Sequence, residues 1–208
     1  MKYDVILLAS GKGSRMGLGY NKLLYRLGEK RLIDLACEPF LQDEECEQII
    51  LVTSDLQPKD CPHYKVLVVA GGESRQESAY IGVQYALSPY VLIHDGARVN
   101  VSTRLLQYIK QALKEGEDCV VPTIEQDNHD GSYQVEGKVI QTPQGFQLLT
   151  IQQAHEMAAD DLQKPLFRDD ASLVRHYLGK KPCYIQGDPD NFKITTPEDL
   201  KRLEARSK

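Results

Sequence analysis

Short apolar runs alternate along this chain with stretches whose apolar residues recur every three or four positions. Val5–Ala9, Gln48–Thr53, Lys65–Val69, Tyr90–His94, Cys119–Pro122 and Cys183–Gln186 read as strands, since brief, near-continuous apolar segments suit the buried interior of a sheet. Arg31–Leu41, Glu77–Ala86, Thr103–Glu115, Leu148–Ala159 and Ala171–Leu178 read as helices with one apolar face. A last helix starts at Thr196–Leu200, where a capping threonine precedes proline at the first helical position and acids in the first turn. The alternation predicts an α/β sandwich with a largely parallel sheet, in which ligands gather beyond the carboxyl ends of the strands. Residues 123–137 break the pattern. They are polar and turn-rich, contain Asn128-His129-Asp130-Gly131, and read as a short projecting β-arm with a hairpin strand at Ser132–Val135.

The composition narrows the class without naming a chemistry. With 208 residues, 41% hydrophobic and 26% charged, the chain can bury one full core and reads as a single domain. A formal net charge of −5 argues against a nucleic-acid coat or a polybasic membrane anchor. An anionic ligand must therefore be met by locally concentrated Lys and Arg. Cys37, Cys46, Cys61, Cys119 and Cys183 are scattered without metal-ligand spacing and read as reduced, structural thiols. The opening MKYDVILLAS lacks the pattern of a signal peptide, and no apolar run approaches membrane-spanning length. A cytoplasmic protein is the expectation.

Candidate chemistry concentrates in four segments. In the first, the strand at Val5 runs into GKGSRMGLGYNK, where Gly11, Gly13, Gly17 and Gly19 free the backbone N–H groups and Lys12, Arg15 and Lys22 add positive charge. The pattern suits phosphate handling, against the plainer reading of a tight turn with solvated cations. It is neither a dinucleotide fingerprint, which needs glycine where Met16 stands, nor a P-loop. The second segment, His94-Asp95-Gly96-Ala97-Arg98, offers a carboxylate suited to Mg²⁺ with substrate phosphates, or else an Asp95–Arg98 surface pair. His94 has no nucleophile or ligand cluster around it in sequence and reads as structural. The third, Gly71-Gly72-Glu73-Ser74-Arg75-Gln76-Glu77-Ser78, opens a helix and can read a base through backbone groups and Ser78, or be a plain turn with a cap. The fourth places Lys193 shortly before the last helix, as a solvated lysine or as a cation at a transferring phosphoryl group.

In order and spacing, GKGSRMGLGYNK, GGESRQES, HDGAR, QTPQGF, RDDASLV and GDPDNFKITTPEDL resemble the 2-C-methyl-D-erythritol 4-phosphate cytidylyltransferases over nearly the whole chain. The resemblance implies a Rossmann-like nucleotidyltransferase fold, Mg²⁺ as cofactor, and CTP and a polyol phosphate as substrates. The implied reaction joins CMP to the acceptor phosphate and releases pyrophosphate, by in-line attack at the α-phosphorus without a protein nucleophile. Arg15 and Lys22 become the triphosphate and transition-state cations, joined by Lys193. Ala9, Ser10, Gly11 and Gly13 line the nucleotide, and Gly72, Glu73 and Ser78 face cytosine and ribose. Asp95 borders the metal and the acceptor, with Arg98, Thr142 and Arg168 on the acceptor side. A homodimer is implied as well, with the arm crossing to the neighbour.

Several positions depart from the family pattern. Ser10 stands for the usual alanine and Asn21 for a proline, while Glu125-Gln126 replaces an Asp-Thr pair whose threonine meets the acceptor. The arm has no arginine between Thr123 and Thr142 to grip the acceptor phosphate, and Arg168 replaces a threonine. Arg168 is thus a candidate clamp from within the subunit, or simply a partner of Asp169 or Asp170. Methylerythritol phosphate is the expected acceptor. Ribitol 5-phosphate and a catalytically silent nucleotide-binding regulator are the alternatives, and Met16 speaks against a nicotinamide enzyme.

Overall fold

The computed structural model describes residues 1–11, 19–125, 134–135 and 137–206. Gly13, Arg15 and much of the arm at 123–137 lie outside those residues. The described chain runs β1 (Tyr3–Leu8), β2 (Arg26–Leu27), β3 (Lys30–Arg31), α1 (Leu32–Leu41), β4 (Cys46–Val52), β5 (Val66–Val69), α2 (Arg75–Gln84) and β6 (Tyr90–Asp95). It continues through α3 (Thr103–Lys114), β7 (Cys119–Glu125), β8 (Gln134–Val135), β9 (Lys138–Ile140), β10 (Gln144–Gln147), α4 (Leu148–Asp160), α5 (Asp170–Leu178), β11 (Cys183–Gln186) and α6 (Pro197–Arg206).

The main sheet has the order β5-β4-β1-β6-β10-β7-β9-β8, with β11 on the other side of β7. β5, β4, β1 and β6 are mutually parallel, and β11 is parallel to β7. β10 runs antiparallel between β6 and β7, and β8 and β9 continue β7 as an antiparallel ladder at the base of the predicted arm. This is the largely parallel α/β sheet that the alternation predicts.

Alternation within single strands divides the core. Tyr3, Val5 and Leu7 of β1 pack with residues of α1, α3 and α6, whereas Ile6 packs with α2, α4 and α5 on the opposite face. A strand covered on both faces reads as one apolar run, which is why β1, β4 and β6 stand out in the sequence. All five cysteines are unbridged, and burial pushes the thiols of Cys37 and Cys46 up to about 12.

Differences from the periodicity reading have local causes. β10 has only the four residues QGFQ and leads directly into α4, so it carries no period of its own. Gly145 within it lets α3 close onto the sheet, since a Cβ there would lie 2.6 Å from Ile109 Cγ2. α2 starts two residues before Glu77 because the Ser74 side chain caps it by accepting the Glu77 N–H at 3.0 Å. The β2–β3 hairpin turns through Gly28 at φ +62°, and its two-residue strands are too short to register as alternation.

Candidate active site

Where β1, β4, β5 and β6 end, their loops enclose a cleft of about 630 Å³. Ser10 and Gly11 follow β1, Ser54 and Asp55 follow β4, Gly72 to Arg75 lead from β5 into α2, and Asp95 to Ala97 close β6. Lys22 and Lys193 complete the lining from distant parts of the chain. The cleft therefore occupies the position expected for ligands in an open α/β sheet.

Close backbone approaches create this shape. The Gly96 N–H donates to Leu8 O at 2.9 Å, and a Cβ on Gly96 would lie 3.0 Å from that carbonyl. A Cβ on Gly71 would lie 1.9 Å from Ser10 Oγ. Glycine at 71 thus makes room for the serine that replaces alanine, and Ser10 Oγ donates to Val52 O at 3.2 Å. Asn21 holds the chain ahead of Lys22, its side-chain amide donating to Ala9 O at 2.8 Å and Asp55 Oδ2 at 2.7 Å while its Oδ1 accepts from Leu23 N. Its φ of −61° is the value proline would fix, so the exchange of proline for asparagine fits this backbone angle and adds three hydrogen bonds.

The two lysines meet at one edge of the cleft. Lys22 Nζ donates to Ile194 O at 2.5 Å, and Lys193 Nζ pairs with Asp95 Oδ2 at 2.7 Å. Ile194 N–H in turn donates to Ala97 O at 2.8 Å, which fastens the 193–194 segment to the loop after β6. Arg75 takes the other oxygen of Asp95, with Nε 3.3 Å from Oδ1. Burial pushes the Asp95 carboxyl up, but Lys193, Arg75 and Arg98 outweigh it and hold the group well below the usual carboxylate range. Asp95 is ionised throughout the neutral range.

Behind Asp95 lies a buried polar layer. Thr142 Oγ1 accepts the Asp95 backbone N–H at 3.0 Å and sits 3.0 Å from His94 Nδ1. His94 Nε2 is 2.8 Å from Arg98 O, an oxygen that can only accept, so the ring proton is on Nε2 and Thr142 donates its hydroxyl to Nδ1. Burial pushes the His94 imidazole down to about 4, so it is neutral at pH 7. Arg98 donates to Asn191 O at 2.7 Å and Ile140 O at 3.2 Å, and the Asn191 amide donates to Thr142 O at 2.7 Å.

Eight of the residues singled out from sequence line the cleft: Ser10, Gly11, Lys22, Gly72, Glu73, Ser78, Asp95 and Lys193. Ala9, Arg98 and Thr142 are buried and are not among its lining. Arg168 is exposed immediately before Asp169, whose side chain caps α5. Sequence reasoning missed Arg75, Asn21 and Asn191 as site-building residues. Arg75 did carry one signal, because a cation in the first turn of a helix opposes the helix dipole and calls for an anionic partner.

The profile of the 2-C-methyl-D-erythritol 4-phosphate cytidylyltransferase family matches residues 3–207. The enzyme of that name from Geobacillus kaustophilus is 38% identical over 223 aligned residues, covering 99% of this chain and 96% of the relative. The one from Bacillus cytotoxicus is 35% identical over 216, covering 95% and 94%. The crystal structure of the cytidylyltransferase of this name from Thermus thermophilus superposes with a TM-score of 0.81 at 26% identity, covering 100% of this chain and 99% of that one. With the family's profile spanning the chain, relatives of that name 35% and 38% identical over nearly its whole length, and a cleft at the end of its parallel strands, the chain belongs to the 2-C-methyl-D-erythritol 4-phosphate cytidylyltransferases, a family of nucleotidyltransferases.

Proposed function

We infer that this cleft transfers the cytidylyl group of CTP to 2-C-methyl-D-erythritol 4-phosphate, in isoprenoid precursor synthesis. The observation that carries the reading is the convergence of Lys22 and Lys193, far apart in sequence, on the edge of the cleft where Asp95 stands. An acceptor phosphate oxygen attacks the α-phosphorus in line. The new P–O bond forms as the bond to the bridging β-phosphate oxygen breaks, and pyrophosphate leaves. The acceptor phosphate is anionic at pH 7, so the protein need only position the reactants and neutralise charge. Lys22, Lys193 and Arg15 supply that neutralisation. Ser10, Gly11 and Gly13 border the nucleotide, and the loop at Gly72 and Glu73 receives the base.

The residues present fit Mg²⁺ arriving with the nucleotide. Among the described residues no group of three His, Cys, Asp or Glu side chains forms a ready cage. One carboxylate with triphosphate oxygens is, however, a donor set Mg²⁺ accepts, and Asp95 is ionised and at the cleft. Asp95 would hold the ion, which when bound neutralises the triphosphate and the departing pyrophosphate.

On the acceptor side, Arg98 and Thr142 act from behind by fixing Asp95, and Arg168 serves as the phosphate clamp that the arm lacks. If so, Arg168→Ala raises the acceptor KM far more than the CTP KM, and Lys restores only part because it lacks the planar fork. The enzyme works as a cytoplasmic homodimer with the arm at 123–137 crossing between subunits, and among the described residues no helix is long and apolar enough to cross a membrane. Sedimentation tests the dimer, and a fully active monomer would contradict it. The reaction is tested by pyrophosphate release from CTP with methylerythritol 4-phosphate and, separately, with ribitol 5-phosphate. Turnover of the first with a kcat/KM well above that of the second supports the assignment, and the reverse order overturns it.

A further inference from the structure

Arg75 joins two carboxylates that belong to different elements. Its Nε lies 3.3 Å from Asp95 Oδ1 at the end of β6, and its Nη1 lies 2.8 Å from Asp170 Oδ2 at the start of α5. Asp170 is buried, and His155 of α4 approaches its other oxygen with Nε2 at 3.6 Å. The next residue extends the connection. Gln76 Oε1 accepts the Phe167 N–H at 2.8 Å, and Gln76 Nε2 donates to Pro165 O at 3.4 Å. The first turn of α2 is thereby fastened both to the cleft carboxylate and to the segment that carries Arg168.

Neutralising buried Asp170 needs only one end of the guanidinium. The second contact, to Asp95, leaves that carboxylate gripped on both oxygens, by Arg75 on Oδ1 and by Lys193 on Oδ2. Its plane is then fixed. We propose that Arg75 is a positioning residue for the acceptor: by bridging Asp95 and Asp170 it sets the orientation of the Asp95 carboxylate and the place of residues 165–170 beside the cleft. The inference rests on the proposed cytidylyl transfer and adds a residue to it.

The nucleotide loop does not share this dependence. Gly72 N–H donates to Ser78 Oγ at 3.1 Å, Glu73 N–H to Glu77 Oε2 at 2.8 Å, and Glu77 N–H to Ser74 Oγ at 3.0 Å, all without the Arg75 side chain. Loss of the bridge therefore separates the two substrates. Lysine is a point charge that can hold one carboxylate but cannot span both as a planar fork does.

The test is steady-state kinetics of Arg75→Lys, Arg75→Gln and Asp170→Asn at saturating Mg²⁺ with each substrate varied, alongside calorimetric CTP binding without added metal and thermal melting. The expected result for Arg75→Lys is an acceptor KM raised about tenfold with CTP affinity within about twofold of wild type, as misplacement of a reacting group predicts. Asp170→Asn, which keeps the shape but loosens the anchor of Arg75, shows the same split in smaller measure. It also serves as the test if Arg75→Gln does not fold. Equal changes in both KM values, or a lowered melting temperature with the acceptor KM unmoved, overturn the positioning role. Absence of wild-type turnover instead overturns the parent reading, and this one with it.

Discussion

Replacing Thr142 with valine isolates the buried layer that holds Asp95. Valine keeps the branched shape and removes the hydroxyl, which makes two hydrogen bonds in a residue only 5% exposed: one from the Asp95 backbone N–H and one to His94 Nδ1. Neither partner has an obvious substitute, because the other ring nitrogen of His94 is committed to Arg98 O. Leaving a buried polar group unsatisfied costs about 1–3 kcal/mol, so two give a loss of roughly 2–6 kcal/mol. For a chain of this length each kcal/mol lowers Tm by about 2–4 °C, and the expected fall is roughly 4–24 °C. Thr142→Ser retains the hydroxyl and loses one methyl, about 0.8 kcal/mol on transfer grounds. Urea denaturation of both variants separates the terms, provided the slope m is unchanged. Equal midpoints for the valine and serine variants would refute the assigned hydrogen bonds.

Acid sensitivity follows from His94, whose burial depresses its pKa to about 4. The folded state disfavours protonation, so stability is complete above the unfolded value of about 6.5 and is lost as pH falls from there toward 4, by about 3 kcal/mol in all. Asp95 and Asp170, lowered by their cation partners, withdraw their contributions only below the ordinary carboxylate pKa, a separate window. A His94 NMR titration midpoint near 6.5 would contradict the assignment. Asp95→Asn should raise the Mg²⁺ concentration needed for half-maximal activity by about tenfold or more, since the metal would lose its anionic protein oxygen; full activity at limiting Mg²⁺ would remove Asp95 from that role. Among the thiols, Cys61 and Cys183, half-buried, should react with a disulfide reagent before buried Cys37, Cys46 and Cys119, as progress curves of single-cysteine variants can check.

The central strands β1, β4 and β6 were legible in the sequence because both of their faces are largely buried and so both alternate sets of residues are mostly apolar. β10 was not, because four residues leading straight into a helix leave no period to read. The site divided in the same way. Lys22, Asp95 and Lys193 were legible through the motifs that carry them, since phosphate chemistry needs those residue types. Their convergence was not, because the Lys22–Ile194 contact spans 172 positions. Arg75 and Asn191 escaped because their roles exist only through partners on other elements, Asp170 for one and the Thr142 carbonyl for the other. Even the reading of His94 as structural left its partner unnamed, since Thr142 lies 48 residues away.

The central claim is that Lys22 and Lys193 stabilise charge on the transferring cytidylyl group, and single-turnover formation of the cytidylylated acceptor from α-labelled CTP measures this most directly. Removing one preorganised donor of this kind typically costs about 10²- to 10³-fold in rate. Lys22→Ala and Lys193→Ala should each slow product formation by that order at saturating substrates, with melting temperatures close to wild type. A rate within a few fold of wild type for both variants would contradict the account.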